Sequence, residues 1–308
     1  NSPIYKFRMG NVAVKEDGSP VVSYMEYLLN WTDPKQLVSP SFTFGNDFVG
    51  ATEGSSLAPG EPCDCCKSSL ICSGDDVFLL FRNNDNNERN SYIAKSVDNG
   101  VSFITTADMD DYSWMLNACP ASTPRGVVLG DSLVVVKRSG ASGNNEVVCS
   151  NVSAADLNYS YNKNIDLISG AVQDYPEVAA NKDTIVVVWQ DNRAGILNCY
   201  MSLSVAGTVN LHGSISFTDS SMIGQKKHPD VAYANGKIHL VYLDDSQHKI
   251  VYTSASIGVA SNTNEVGSFL PKRVIRIVDV LGREPKETNQ LLFHIYNNGT
   301  VEKRVVID

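Results

Sequence analysis

Apolar positions along this chain come in short runs, and the runs return on a fixed frame. Five times a strand opening is followed thirteen residues later by the strong end of an apolar strand: Asn11 to Tyr24, Ser68 to Phe81, Pro124 to Lys137, Pro176 to Trp189 and Pro229 to Tyr242. The stretches Pro124–Lys137, Pro176–Trp189 and Pro229–Tyr242 align without a gap. Each reads as an inner strand, a tight turn of Gly, Asp and Asn (Gly130-Asp131, Asn181 to Asp183, Asn235-Gly236), and a second strand, because these residues tolerate the positive φ that a hairpin demands. Third strands follow at Ser91–Ser96, Glu146–Ser150, Cys199–Ser202 and Lys249–Thr253; fourth strands are weaker. The openings are 57, 56, 52 and 53 residues apart, a little longer than the period of four-stranded propeller blades. The expectation is an all-β chain: a β-propeller over residues 1–267 with five recognisable blades, six if the termini contribute strands, and a small C-terminal β tail over 268–308. Ile4–Phe7 is expected to close the ring by pairing with the last blade.

Composition narrows the function classes. The 308 residues are 43% hydrophobic and 19% charged, with a net charge of −9. That charge argues against nucleic acid and anionic membrane surfaces, which call for clustered cations. No apolar run approaches the roughly 18 residues of a membrane span. The five histidines show no zinc-binding spacing, and no phosphate-binding glycine loop is present.

Ser96-Val97-Asp98-Asn99-Gly100-Val101-Ser102-Phe103 resembles the Asp box of the sialidase-type BNR propellers. What the resemblance implies is a compact 3–4 hairpin opened by Ser96: Asp98 accepts backbone N–H bonds, Gly100 supplies the unusual φ, and Phe103 plugs the blade. This role is structural. Glu61–Cys66 carries Cys63, Cys65 and Cys66 into the second blade, and Asn117–Pro120 carries Cys119 into the third. Cys63 and Cys119 each stand five residues before a strand opening, so the repeat brings four sulfurs to one mouth. Two chemistries stay open for them: disulfides, which suit an extracytoplasmic protein, and a thiolate site for zinc or copper. Cys72, Cys149 and Cys199 read as buried strand thiols, with a Cys149–Cys199 pair across adjacent blades left open. The Cys-x-Cys-Cys and Cys-Pro arrangement around an Asp box, over Pro62–Pro120, itself resembles a subgroup of bacterial sialidase-like BNR proteins.

Strand alternation puts the 2–3 and 4–1 loops on the face opposite the Asp box, and candidate chemistry is sought there. A sialidase needs an arginine cluster for the substrate carboxylate and catalytic acids; Arg82, Arg138 and Arg193 with Asp85, Asp191 and Asp244 are the candidates. The sequence departs from that family in lacking its Phe-Arg-Ile-Pro motif; Tyr5–Gly10 is a degraded echo. For ligand binding the candidates are Trp114, Tyr175, Arg82, Arg193 and His228, the aromatics as a stacking platform for sugars. Asp85 and Glu88, in the oxygen-rich loop Asn83–Glu88, are candidate Ca2+ ligands; the alternative is a solvated turn.

In the tail, Val278–Glu284 and Tyr296–Arg304 resemble the end of the C-terminal sorting domain of type IX secretion cargo in Bacteroidota. The resemblance implies the secretion machinery as a partner and a place outside the cell or on its outer surface. The expected function is a secreted or surface-attached binding or scaffold module, glycan its first ligand class and surface protein its second. The alternatives are a sialidase-like glycoside hydrolase and a structural subunit of a surface assembly.

Overall fold

A computed structural model describes residues 5–41, 48, 50–181, 183–205, 209–211, 213–218, 224–256, 274–278, 283, 285, 291–296 and 301–305. Every element among them is a strand. Blade 1 holds β1 (Tyr5–Val14), β2 (Pro20–Leu28), β3 (Lys35–Pro40) and β4 (Thr52–Glu53). Blade 2 holds β5 (Glu61–Pro62), β6 (Ser69–Ser73), β7 (Asp76–Asn84), β8 (Ser91–Ser96) and β9 (Thr105–Asp108). Blade 3 holds β10 (Arg125–Leu129), β11 (Ser132–Ser139), β12 (Glu146–Ser153) and β13 (Tyr159–Asn164). Blade 4 holds β14 (Gln173–Asn181), β15 (Thr184–Asp191), β16 (Asn198–Ser204) and β17 (Ile215–Ser216). Blade 5 holds β18 (Lys226–Ala234), β19 (Lys237–Asp244) and β20 (Lys249–Ser256). All are antiparallel meanders in chain order, save that β5 and β6 share β7.

Continuous apolar runs mark the second strands of blades 2, 3 and 4, whereas those of blades 1 and 5 alternate. Successive side chains point to opposite faces of a strand, and a second strand inside the ring has a neighbouring blade on each side. Leu133 and Val135 enter the cluster shared with blade 2, whereas Val134 and Val136 enter the one shared with blade 4. Similar clusters join blades 1 and 2 and blades 4 and 5. Each fully buried valine or leucine contributes about 1.5–3 kcal/mol, so the inter-blade seams hold the ring together.

Register corrects one alignment. Arg125, Glu177 and Asp230 pair with Val136, Val188 and Val241, while Asn11 pairs with Ser23. Asn11 therefore matches the residues after the prolines, and Gly10 matches Pro176 and Pro229. The longer 1–2 turn of blade 1, which runs from Val14 to Pro20, absorbs the difference. Tyr5–Phe7 does not join blade 5: it pairs with β2 from Tyr5↔Leu28 onward.

The Asp box forms the hairpin between β8 and β9. Ser96 Oγ donates to Asp98 Oδ1 at 2.7 Å and accepts Gly100 N–H at 2.8 Å. Asp98 also accepts Ser102 N–H at 2.8 Å. Gly100 takes φ +89° against Val21, Val38 and Val77, and Phe103 packs on the core shared with blade 1.

The tail is a separate antiparallel sheet of β21 (Val274–Val278), β22 (Leu291–Tyr296) and β23 (Val301–Val305), with Val278 and Tyr296 buried. The 267/268 boundary, the stretch 279–282 and the turn 297–300 lie outside the described residues. No helix among the described residues is long and apolar enough to cross a membrane.

Candidate functional site

The inner strands open around a shared cavity of about 360 Å³. Met9, Lys67, Thr123, Tyr175 and His228 line it, one from each blade. Each stands immediately before its aligned strand opening, so the cavity is the mouth of the propeller axis. One position past the openings Pro124, Pro176 and Pro229, Arg125, Glu177 and Asp230 line the same space.

Backbone strain gathers here. Met9, Tyr175 and His228 have φ of 59°, 51° and 49°, and each sits at a β-bulge that shifts the register of its inner strand. Ala121, also lining the cavity, has φ 50°. Non-glycine residues in this region are held by their surroundings at a cost of about 1–3 kcal/mol each, and such residues cluster at functional sites. Gln190 Oε1 accepts His228 N–H at 2.9 Å, and Asp174 Oδ1 accepts Tyr175 N–H at 2.8 Å. The bulges turn the Tyr175 and His228 rings against each other, edge to face, with centroids 4.4 Å apart.

Charge in the cavity is mixed. Arg125 Nε donates to Glu177 Oε1 at 2.8 Å, with both side chains about three-quarters buried. Burial raises the Glu177 carboxyl to about 7; Arg125 opposes the rise and the Asp230 carboxylate adds to it. The ion pair does not cancel the loss of water around this carboxyl. A carboxyl that carries its proton near neutral pH, beside a second carboxylate, is equipped for general acid–base chemistry.

The cysteines form the rim on the side of blades 2 and 3. Between β5 and β6 the inner strand of blade 2 is interrupted by residues 63–68, and there Cys65 is disulfide-bonded to Cys119. Cys66 donates its S–H to Cys63 Sγ at 3.1 Å. That bond is the largest influence lowering Cys63 to about 6, with Arg89 and Arg82 assisting and burial opposing. The same hydrogen bond and burial push Cys66 up. Cys149 and Cys199 are free and buried, and Cys72 is free and half-buried.

Of the residues singled out from the sequence, the axial cavity takes Tyr175, His228 and Cys65. The three arginines go elsewhere. Arg82 is wholly buried, its guanidinium donating to the carbonyls of Ser122, Arg89 and Arg138. Arg138 pairs with Asp174. Arg193 pairs with Asp166 and with the buried Asp191, and lies over the Tyr200 ring. No shared substrate clamp results. Trp114 is buried between the guanidiniums of Arg82 and Arg138, 4.9 and 5.6 Å from its centroid, so it packs the scaffold and presents no open platform. Asp244 is buried beside Lys226 at 3.5 Å and caps its own loop through Ser246 and Gln247. Asp85 and Glu88 close a two-residue turn whose Asn86 and Asn87 have φ 51° and 72°. Their carboxylates accept the amides of Asn86 and Asn90. Among the described residues the one group of three or more His, Cys, Asp or Glu with ligand atoms gathered closely is the four cysteines.

Glu177, Asp230, Arg125 and Met9 escape the sequence reading, although Glu177 and Asp230 stand inside the aligned repeats. The available signal is a column: the position after each strand opening is charged in blades 3, 4 and 5, on strands whose neighbours are apolar.

No family model matches the chain, and no curated protein matches it. Solved structures do. An α-L-arabinanase of Penicillium chrysogenum complexed with arabinobiose is similar at 11% identity, over 98% of this chain and 93% of that one, with a TM-score of 0.55. The GH93 α-L-arabinofuranosidase of Fusarium graminearum, also complexed with arabinobiose, is similar at 13% identity over 97% and 92%, with a TM-score of 0.54. A protein of unknown function from Dyadobacter fermentans is similar at 10% identity over 99% and 83%, TM-score 0.55. The chain has the β-propeller fold of these glycoside hydrolases. At such identities the likeness establishes the fold alone, and residue roles rest on this chain's own geometry.

Proposed function

We propose that the protein is a glycoside hydrolase whose active site is the axial mouth, with Glu177 as proton donor and Asp230 as the second carboxylate. The observation that carries this reading is that both carboxyl groups line one cavity and that burial raises Glu177 to about 7. Glycosidic cleavage uses such a pair: one carboxylic acid protonates the departing oxygen, and the other, ionised, acts as nucleophile or activates water. Arg125 fixes the orientation of Glu177, and Tyr175 and His228 offer ring faces and edges to a sugar.

Arabinofuranosyl glycans are the first substrate class to assay, supported by the substrates in the names of the two similar hydrolases. A sialoside fits the cavity less well. Its carboxylate calls for several converging guanidiniums, and of the described arginines only Arg125 lines the cavity. Export of the chain to the cell surface is part of the proposal and is supported by the tail's resemblance to a sorting domain.

The experiment is turnover of 4-nitrophenyl α-L-arabinofuranoside and of arabino-oligosaccharides by the purified chain, compared with Glu177→Gln and Asp230→Asn. Turnover lost in both variants, with their melting temperatures kept, supports the hydrolase. A folded wild-type chain that binds these sugars without turning them over would instead make the protein a glycan-binding module.

A further inference from the structure

The sulfurs of Cys63, Cys65, Cys66 and Cys119 all lie within 4.8 Å of one another. A tetrahedral ion with metal–sulfur bonds of about 2.3 Å needs its sulfurs about 3.8 Å apart. Cys63 Sγ stands 3.1 Å from Cys66 Sγ and 3.4 Å from Cys65 Sγ, within reach of that geometry by small side-chain movements, while Cys65 and Cys119, bonded here, must be reduced and their sulfurs must part by about 2 Å. The ligands come from two segments on neighbouring blades, and no fifth position is needed for a closed structural site.

Charge supplies the second observation. Arg82 is wholly buried and gives its hydrogen bonds to three backbone carbonyls. Arg89 is also buried; its Nε donates to Leu116 O at 3.2 Å and its Nη1 to Cys63 Sγ at 3.5 Å. Among the described residues neither guanidinium has a carboxylate in ion-pair contact. Asp110, whose charge does act on Arg82, accepts Ser91 N–H and faces the buried Lys137 at 3.8 Å. Two buried cations call for matching negative charge nearby.

A disulfide is neutral. With Cys65 and Cys119 joined, Cys63 and Cys66 share a hydrogen and supply one negative charge at most. Four thiolates around a divalent ion carry a net charge of −2, which balances Arg82 and Arg89; around a monovalent ion they would carry −3.

We propose that the reduced chain binds one Zn2+ through Cys63, Cys65, Cys66 and Cys119, with Arg82 and Arg89 as its counter-charge. The ion fastens the interrupted inner strand of blade 2 to the entry of blade 3 at the rim of the axial cavity. Loading breaks the four S–H bonds as four metal–sulfur bonds form, releases the protons to solvent and changes no oxidation state. A newly made chain presents all four sulfurs as thiols, so it needs no reductant. The Cys65–Cys119 disulfide is the other state of the same sulfurs. A trialkylphosphine returns it to the thiols, the phosphine taking the oxygen of a water molecule and the sulfurs its two protons.

The test uses the full chain, made with added Zn2+ and purified under a trialkylphosphine. About one equivalent of zinc is expected to survive dialysis. Replacing it with Co2+ is expected to give a thiolate-to-cobalt charge-transfer band and intense tetrahedral d–d bands. Cys63→Ser should lose the metal, and Cys72→Ser, outside the cluster, should keep it. Arg89→Gln should weaken zinc in competition with a chromophoric chelator by about ten- to a hundredfold, the range for groups that support metal ligands. A wild-type chain that melts cooperatively but retains no zinc, or binds cobalt without the thiolate band, would overturn the site. Unchanged zinc affinity in Arg89→Gln would overturn the charge-balance argument.

Discussion

Arg125 Nε and Glu177 Oε1 meet at 2.8 Å, joining the innermost strands of blades 3 and 4 inside the axial cavity. The contact places a guanidinium against a carboxyl that still holds its proton to about 7, because burial outweighs the nearby positive charge. In Glu177→Gln the donor is lost while the shape is kept, and kcat on an arabinofuranoside is expected to fall by about 10²–10⁴. Wild-type kcat should decline as pH rises through about 7, when Glu177 gives up its proton. A pH–rate profile of both proteins checks this; an unchanged alkaline limb in the variant would remove Glu177 from the role.

The same carboxyl makes a prediction about stability. Folding raises its pKa from 4.5 to about 7, so the folded chain holds the proton more tightly than the unfolded one. The stability that follows is fully present below about 4.5 and is lost as pH rises through about 7. Thermal melts at a series of pH values should therefore show Glu177→Gln gaining on the wild type across that window. A constant difference would mean that the carboxyl titrates alike in both states.

Trp114 and Tyr175 are expected to part company. Trp114 is buried between two arginines and closed over by Gly140, where an added Cβ would strike its ring. Trp114→Ala should destabilise the chain by about 3–5 kcal/mol. Tyr175 lines the open cavity, so Tyr175→Ala should raise KM severalfold with little change in melting temperature. Denaturant unfolding and steady-state kinetics on both variants decide; a Trp114→Ala chain of normal stability would contradict its packing role.

The Asp box should behave as scaffold. Asp98 accepts Ser96 Oγ, Ser102 N–H and Ser102 Oγ at 2.6 to 2.8 Å. Burial pushes its carboxyl up, but the bonds from Ser102 and Ser96 prevail and hold it below the usual 3.8. Its contribution is thus present above 3.8 and lost as pH falls below it. Asp98→Ala should cost about 1–3 kcal/mol at neutral pH while leaving KM at the axial cavity unchanged, which unfolding titrations and kinetics would read together.

Much of the fold was legible because blades are local. A hairpin is set by its own turn residues, so Gly130-Asp131 and Asn235-Gly236 mark where strands reverse. A second strand such as Thr184–Asp191 announces its burial by an unbroken apolar run, since blades press on both of its faces. Blade 1 misled by one residue because its 1–2 turn is longer, and nothing local distinguishes an extra turn residue from an extra strand residue. The arginines misled for a different reason. A charged residue in a loop looks available in sequence, but Arg82 is drawn inward by three carbonyls and Arg193 by two aspartates.

By itself, then, the sequence determined the repeat, the five propeller units, the Asp-box hairpin and the gathering of Cys63, Cys65, Cys66 and Cys119, all consequences of short-range turn chemistry and of period. Only the tertiary structure decided that Met9, Lys67, Thr123, Tyr175 and His228 meet around one mouth, and that Glu177 and Asp230 lie just within it. The physical reason is packing between blades: residues some fifty positions apart become neighbours only when the seams between successive blades form. The loss of water that raises Glu177 exists only in that packed arrangement.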